Sequence, residues 1–160
     1  MIKKGIYAAS LSVLNENGTL NINETILHAE SAIRSGLHGV FFFGSTGQSQ
    51  LISTNEKKEL IAKIASNKFR KNFFLGTGNN SLNENIDIVK YAMEYDFKEF
   101  LIMPPAYYKG NTDEGVFDFY SRLISVIPKV KIILYNFEKL SGYKFSEEAV
   151  IKLVKAYPDN

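Results

Sequence analysis

Two hydrophobic rhythms alternate along the 160-residue chain. Short runs rich in β-branched and aromatic residues occupy residues 5–10, 39–43, 72–76, 99–103 and 131–135. Their apolar character is continuous rather than alternating, the pattern of strands covered on both faces in a parallel sheet. Between them, apolar residues recur at helical spacing. Leu82, Ile86, Val89 and Met93 step by four, three and four, and Val116, Tyr120, Leu123 and Ile127 repeat that rhythm. Leu60, Ile61, Ile64 and Ala65 form a further stripe, and Val150, Leu153 and Val154 begin another. A first helix is expected over residues 24–35, with Ile26 and Ile33 facing inward.

The helix ends carry their own signals. Ser53-Thr54-Asn55-Glu56 and Ser81-Leu82-Asn83-Glu84 both read as capping boxes, in which hydroxyl and carboxylate satisfy orphan amides. Asn23 and Ser146 are suited to simple N-caps. Gly36 is placed to end the first helix and Pro128 the fourth; the fifth is expected to run to about Tyr157. No linker or low-complexity stretch divides the chain. Strand onsets recur about every 30 residues, the size of a βαβ unit. Five such units would complete an open flavodoxin-like sheet, or would be the first five of a (β/α)8 TIM barrel; periodicity leaves both open.

In either architecture, ligands bind beyond the C-terminal ends of the strands, which directs attention to five short loops. The loop Gly44-Ser45-Thr46-Gly47 offers small residues, two hydroxyls and backbone amides near a helix start. Such donors can converge on a carboxylate or phosphate, although the same residues could simply make and cap a turn. It is neither a Walker loop nor a dinucleotide fingerprint. Tyr135 closes the fifth run, where its phenol could donate to a substrate oxygen or relay a proton, or could equally be a core residue at a strand end. Tyr107 and Tyr108 follow the rigid Pro104-Pro105 step and read as loop packing, an interface or chemistry. The two histidines, His28 and His38, fall away from these loops and read as structural or surface residues.

Composition narrows the classes. Hydrophobic residues make up 45% and charged residues 22%, an ordinary globular balance. The net charge of +2, from scattered lysines, gives no footprint for nucleic acid. No apolar run is long enough for a membrane span, and the opening residues do not form a signal peptide. The chain has no cysteine, which removes disulfides and thiolate chemistry and fits the cytoplasm. No metal cluster and no Ser-His-Asp arrangement is evident.

Taken together and in order, the loop residues resemble the dihydrodipicolinate synthase / N-acetylneuraminate lyase family. The matching pieces are Gly44-Ser45-Thr46-Gly47-Gln48 after Phe41-Phe42-Phe43, then Gly76-Thr77-Gly78, Pro105-Ala106-Tyr107-Tyr108 and Glu114-Gly115. Leu134-Tyr135-Asn136, followed by Leu140-Ser141-Gly142, completes the set. The resemblance implies a (β/α)8 barrel, with residues 1–160 as a single partial barrel domain that stops before strand six. It implies a class I aldolase or lyase in which a lysine forms a Schiff base with pyruvate or a similar 2-oxo acid and an aldehyde is the second substrate. No cofactor is implied, and the assembly would be a homo-oligomer, dimer or tetramer.

By the same resemblance, Ser45 and Thr46, with Gly44 and Gly47, would hold the carboxylate. Thr46 would also link the tyrosines in a proton relay, Tyr135 would stand beside the imine, and Tyr107 would reach into a neighbouring subunit's site. The Schiff-base lysine would lie on strand six, past Asn160, and Lys139, Lys144, Lys152 and Lys155 are elsewhere. The chain departs from the family at Gln48, where a glutamate is usual, at Glu138, where a proline is usual, and at Leu140. Dihydrodipicolinate synthases carry a carboxylate-gripping arginine where Leu140 stands, so its absence argues against aspartate semialdehyde. A binding or regulatory barrel without the chemistry, and a complete flavodoxin-like domain, are the competing readings.

Overall fold

The computed structural model describes residues 2–160. Five strands, β1 (Tyr7–Ala9), β2 (Gly39–Phe42), β3 (Phe73–Gly76), β4 (Glu99–Ile102) and β5 (Lys131–Leu134), pair in sequence order and all parallel. Helices α1 (Ile22–Arg34), α2 (Thr54–Ala65), α3 (Leu82–Glu94) and α4 (Asp113–Val126) return the chain between strands. A short helix α5 (Glu138–Ser141) and then α6 (Glu147–Ala156) follow β5. Sequential order decides between the two architectures. A flavodoxin-like sheet runs 2-1-3-4-5, whereas a barrel adds each strand beside the last. The chain is the first five βα units of a TIM barrel.

Alternate residues of the strands separate the two faces. Val40, Phe42, Phe73, Leu75, Phe100 and Ile102 are at most 2% exposed beneath the helices, which pack on one another in chain order. The other face carries Tyr7, Phe41 and Phe74, with Phe41 and Phe74 stacked at 5.2 Å. Gly39 is required by close approach: a Cβ there would come within 2.7 Å of the Asn72 carbonyl and the Phe74 ring.

Capping explains most helix starts and corrects two expectations. Ser53 and Glu56 form the complete capping box. Ser81 accepts from the Glu84 amide, but the reciprocal carboxylate bond is not made, because Glu84 turns toward Thr54 on the neighbouring helix. The first N-cap is Asn21 rather than Asn23, since Asn21 Oδ1 accepts from the Glu24 amide at 3.1 Å and the helix begins two residues earlier than expected. Ser146 caps α6 as expected. Gly36, at φ +99°, follows Ser35 and completes a Schellman end through the Leu37-to-Ala32 and Gly36-to-Ile33 bonds. Strands are one to three residues shorter than the apolar runs: β2, β4 and β5 each stop one residue early as the chain turns into its loop, β3 starts one residue late, and β1 is trimmed at both ends.

Glu56 ties two elements together: Oε2 accepts from Ser53 and Oε1 accepts from the Leu20 amide at 2.7 Å. The Ser53 hydroxyl, and then the Leu20 amide, hold this carboxyl below its ordinary value. A depressed carboxyl contributes stability that is present above its unfolded pKa and lost as pH falls through the folded one. Glu56→Ala should therefore lower the urea unfolding free energy by about 1–2 kcal/mol at pH 7. The gap between wild type and Glu56→Gln should close as unfolding is repeated at pH values falling below the normal carboxylate range.

Candidate active site

The loop after β2 begins with strain. Phe43 leaves the strand at φ +60° and Gln48 sits at φ +49°, left-handed conformations that are unfavourable for side-chain-bearing residues and concentrate at functional sites. Between them the chain folds into tight turns. The Gln48 amide donates to Ser45 O at 3.0 Å and the Ser49 amide to Gly44 O at 3.4 Å, leading into a single 3₁₀ turn over Ser49–Leu51. Reversal at Phe43 buries its ring and presents Gly44 and Ser45 at the mouth of the half-barrel.

Tyr135 arrives from the far side. Its amide donates to Ile102 O at 3.1 Å, extending the β4–β5 ladder by one residue and fixing where the ring begins. The phenol and Ser45 Oγ then meet at 2.7 Å, although 90 residues separate them in the chain. They line a cavity of about 230 Å³ with apolar walls from Phe43, Leu101, Met103 and Leu140 and polar groups from Gln48 and Ser49. No lining residue is charged. The cavity therefore offers neutral hydroxyls and peptide dipoles, groups of a kind that can receive a carboxylate.

The structure thus brings Gly44, Ser45 and Tyr135 together. Thr46 is exposed and outside the lining, and Gly47 is buried against Ser10, where a Cβ would stand 2.8 Å from the Ser10 carbonyl. Tyr107 also lies outside the cavity. It is 81% exposed, held at φ +75° and set edge-to-face on Tyr108 at 5.2 Å. Among the described residues no group of three or more metal-ligating side chains forms, and no helix is long and apolar enough to cross a membrane.

Sequence reasoning missed Lys57. It falls on the inner stripe of α2 with Leu60, Ile61 and Ile64, so a charge interrupting that helical period was the available signal. The side chain is fully buried, and Nζ donates to Thr77 O at 2.9 Å and Asn79 Oδ1 at 2.6 Å in the loop after β3. Burial pushes its pKa down to about 8, opposed by the charge of Glu84. The short α5, also unforeseen, carries Leu140 to the cavity rim. Farther out, Asp113 accepts from Tyr143 at 2.7 Å and Ser146 at 2.5 Å, which join α4 to α6 and hold its carboxyl below the usual range.

Two loop glycines make opposite predictions. A Cβ on Gly44 meets nothing within 4 Å, whereas one on Gly78, at φ +60°, would stand 2.1 Å from Ser49 Oγ. Gly44→Ala should leave the melting temperature nearly unchanged, while Gly78→Ala should cost about 2 kcal/mol or more in chemical denaturation.

The sequence matches the profile of the Dihydrodipicolinate synthetase family over residues 3–159. It is 30% identical over 157 residues to the 4-hydroxy-tetrahydrodipicolinate synthase of Agrobacterium fabrum, a match covering 96% of this chain and 52% of that protein. The crystal structure of dihydrodipicolinate synthase from Agrobacterium tumefaciens superposes with a TM-score of 0.90 at 28% identity, over 98% of this chain and 56% of that one. The chloride-inhibited dihydrodipicolinate synthase of Acinetobacter baumannii, complexed with pyruvate, gives a TM-score of 0.83 at 25% identity over 94% of this chain and 52% of the other. The chain spans about half the length of the curated relatives it matches. With its sequential parallel sheet and its loop order, the chain belongs to the dihydrodipicolinate synthetase family.

Proposed function

We propose that this chain forms the N-terminal part of a class I aldolase or lyase that joins or cleaves a C–C bond through a lysine Schiff base with pyruvate or a similar 2-oxo acid. The observation that carries the reading is the 2.7 Å contact between Ser45 Oγ and Tyr135 OH at the mouth of an uncharged cavity. The Ser45 hydroxyl and the amides of the Gly44–Gly47 loop bind the carboxylate. The Tyr135 phenol, joined to Ser45, passes a proton to the 2-oxo oxygen, which leaves as water while the lysine nitrogen takes its place on the same carbon to form the imine. Once the imine forms, it draws electrons from the adjacent carbon, which makes or breaks the bond to the aldehyde. Pyruvate bound to the related Acinetobacter enzyme is in keeping with this choice of substrate.

In this reading, the lysine lies on a sixth strand. The Asn160 carbonyl accepts from the Ile132 amide at 2.6 Å, the contact a strand beside β5 would begin with. Lys57 is not that lysine, since its amine is buried behind the wall and absent from the lining. Ser45, which meets Tyr135, takes the relay place expected of Thr46, since Thr46 stands exposed outside the cavity lining. Tyr107 serves a neighbouring subunit's site in a dimer or tetramer; its exposure, at 81%, suits a residue that a second copy covers. Leu140 leaves the rim without a counter-charge, which favours an aldehyde with an uncharged body over aspartate semialdehyde. The cytoplasm is the expected compartment for this cysteine-free chain.

Borohydride reduction in the presence of pyruvate should add covalent mass to one lysine of the natural chain that contains these residues. Tyr135→Phe should slow turnover by about 10²–10³-fold, and Ser45→Ala should raise the pyruvate KM about tenfold. Reversible pyruvate binding without a trapped adduct would instead mark a binding or regulatory barrel. No trapping by any 2-oxo acid would sink the aldolase reading.

A further inference from the structure

The wall of the cavity is made where two loops meet back to back. Gly78 lines the cavity and packs its bare Cα against Ser49, so closely that a Cβ would stand 2.1 Å from Ser49 Oγ and 2.9 Å from the Phe43 carbonyl. The residues on either side of Gly78 are those that Lys57 grips, through Thr77 O and Asn79 Oδ1. The same amine lies 5.9 Å from the centre of the Phe43 ring, which lines the cavity from the other loop. One buried nitrogen on α2 is therefore bonded to one half of the wall and stands over the Phe43 ring of the other.

Burial of a lysine amine is unfavourable, and the lowered pKa of Lys57 registers that penalty. The surroundings do not fully relieve it. Thr77 Oγ1, Asn79 Nδ2 and Asn85 Oδ1 are buried close by without partners among the described residues. An apolar residue would satisfy α2 better than this lysine does, so the stability of the helix does not account for it. What the lysine supplies, and an apolar residue cannot, is a pair of directed bonds across Gly78.

We propose that Lys57 is a positioning residue for 2-oxo acid binding: its amine clamps Thr77 and Asn79 from behind and thereby seats Gly78 against Ser49 and Phe43 to set the shape of the carboxylate end of the cavity. The inference rests on the functional reading above for its substrate, and on the geometry alone for the clamp. Lys57 touches no ligand in this role; it acts through the loop. Asn85 supports the same loop from α3, its Nδ2 donating to Asn79 O at 3.0 Å and Ser81 O at 2.8 Å, so the clamp closes a segment already fixed at its far end.

The test uses Lys57→Met, Asn79→Ala and the double variant of the natural chain, at a temperature where circular dichroism shows each fully folded. Pyruvate KM for adduct formation and hydrogen exchange at the Thr77 amide, which is bonded to Leu101 O at 3.2 Å, are the readouts. Each single variant should raise KM about tenfold with kcat changed far less, and should speed Thr77 exchange. The double variant should be no worse than Lys57→Met alone, because Asn79→Ala removes one of the two bonds that Lys57→Met already removes. A lower melting temperature with KM and Thr77 exchange unchanged overturns the proposal, since that is what a merely structural lysine would give. Should Lys57→Met fail to fold, Asn79→Ala carries the same readouts. If the wild type forms no adduct with any 2-oxo acid, the functional reading fails, and Thr77 exchange alone then decides the clamp: faster exchange in the variants supports it and unchanged exchange overturns it.

Discussion

The hydrogen bond between Ser45 and Tyr135 is the contact on which the site depends. It joins side chains just beyond the ends of β2 and β5, strands three places apart in the sheet. Strands lie about 4.8 Å apart, so a flat sheet would put these two about 14 Å from each other. A serine and a tyrosine projecting side by side from a flat surface do not bridge that distance. Curling of the sheet brings them together, and the curl follows from strands added one beside the next in a single twisted, parallel series. Registry does the rest, because each parallel pairing sends the following loop to the same end.

Around that contact, the loops stabilise one another rather than standing separately on their strands. Asn80 Oδ1 accepts from the Ala106 amide at 2.8 Å, joining the loops after β3 and β4. Asn111 Nδ2 donates to Pro105 O at 2.7 Å and keeps the loop after β4 folded on itself. Tyr120 reaches from α4 to Ile102 O at 2.9 Å and anchors the strand end beneath it; full burial pushes its phenol well above the ordinary value. These side-chain-to-backbone bonds satisfy carbonyls and amides that sheet and helix leave unpaired as the chain turns between them. The strained backbone at Phe43 and Gln48 brackets a loop held by its own turn bonds, from the Gln48 amide to Ser45 O and the Ser49 amide to Gly44 O.

Much of the fold is legible in the order of residues because it depends on local periodicity. Continuous apolar runs mark the strands, and stripes such as Leu82-Ile86-Val89-Met93 mark the helices, since each element buries one continuous surface. The N-cap at Asn21 is harder to see. Asn21 and Asn23 are chemically equal candidates, and the choice rests on Asn21 also donating to Asn15 Oδ1 within the turn built on the Leu14–Leu20 pairing. That turn is an irregular local arrangement with no period of its own. For the site, the Gly44 loop and Tyr135 stand out by position and chemistry. Their meeting depends on sheet curvature, and the left-handed Phe43 depends on tertiary packing, so neither is encoded in spacing. The four-residue α5 barely exceeds one helical turn and leaves no stripe to detect.

Gly78 has a consequence that reaches beyond stability. Where the two loops touch there, the separation between them is fixed by main-chain atoms on one side and a small hydroxyl residue on the other. A wall built from backbone cannot be thinned or thickened by exchanging side chains. One flank of the cavity is thus nearly constant in shape, while the rim is made of side chains from Gln50, Leu51 and Leu140 that stand toward solvent. Divergence in what such a cavity accepts is channelled to that rim: the scaffold separates an inherited half, which no point substitution readily redraws, from an adjustable half on which selection can act without disturbing the other.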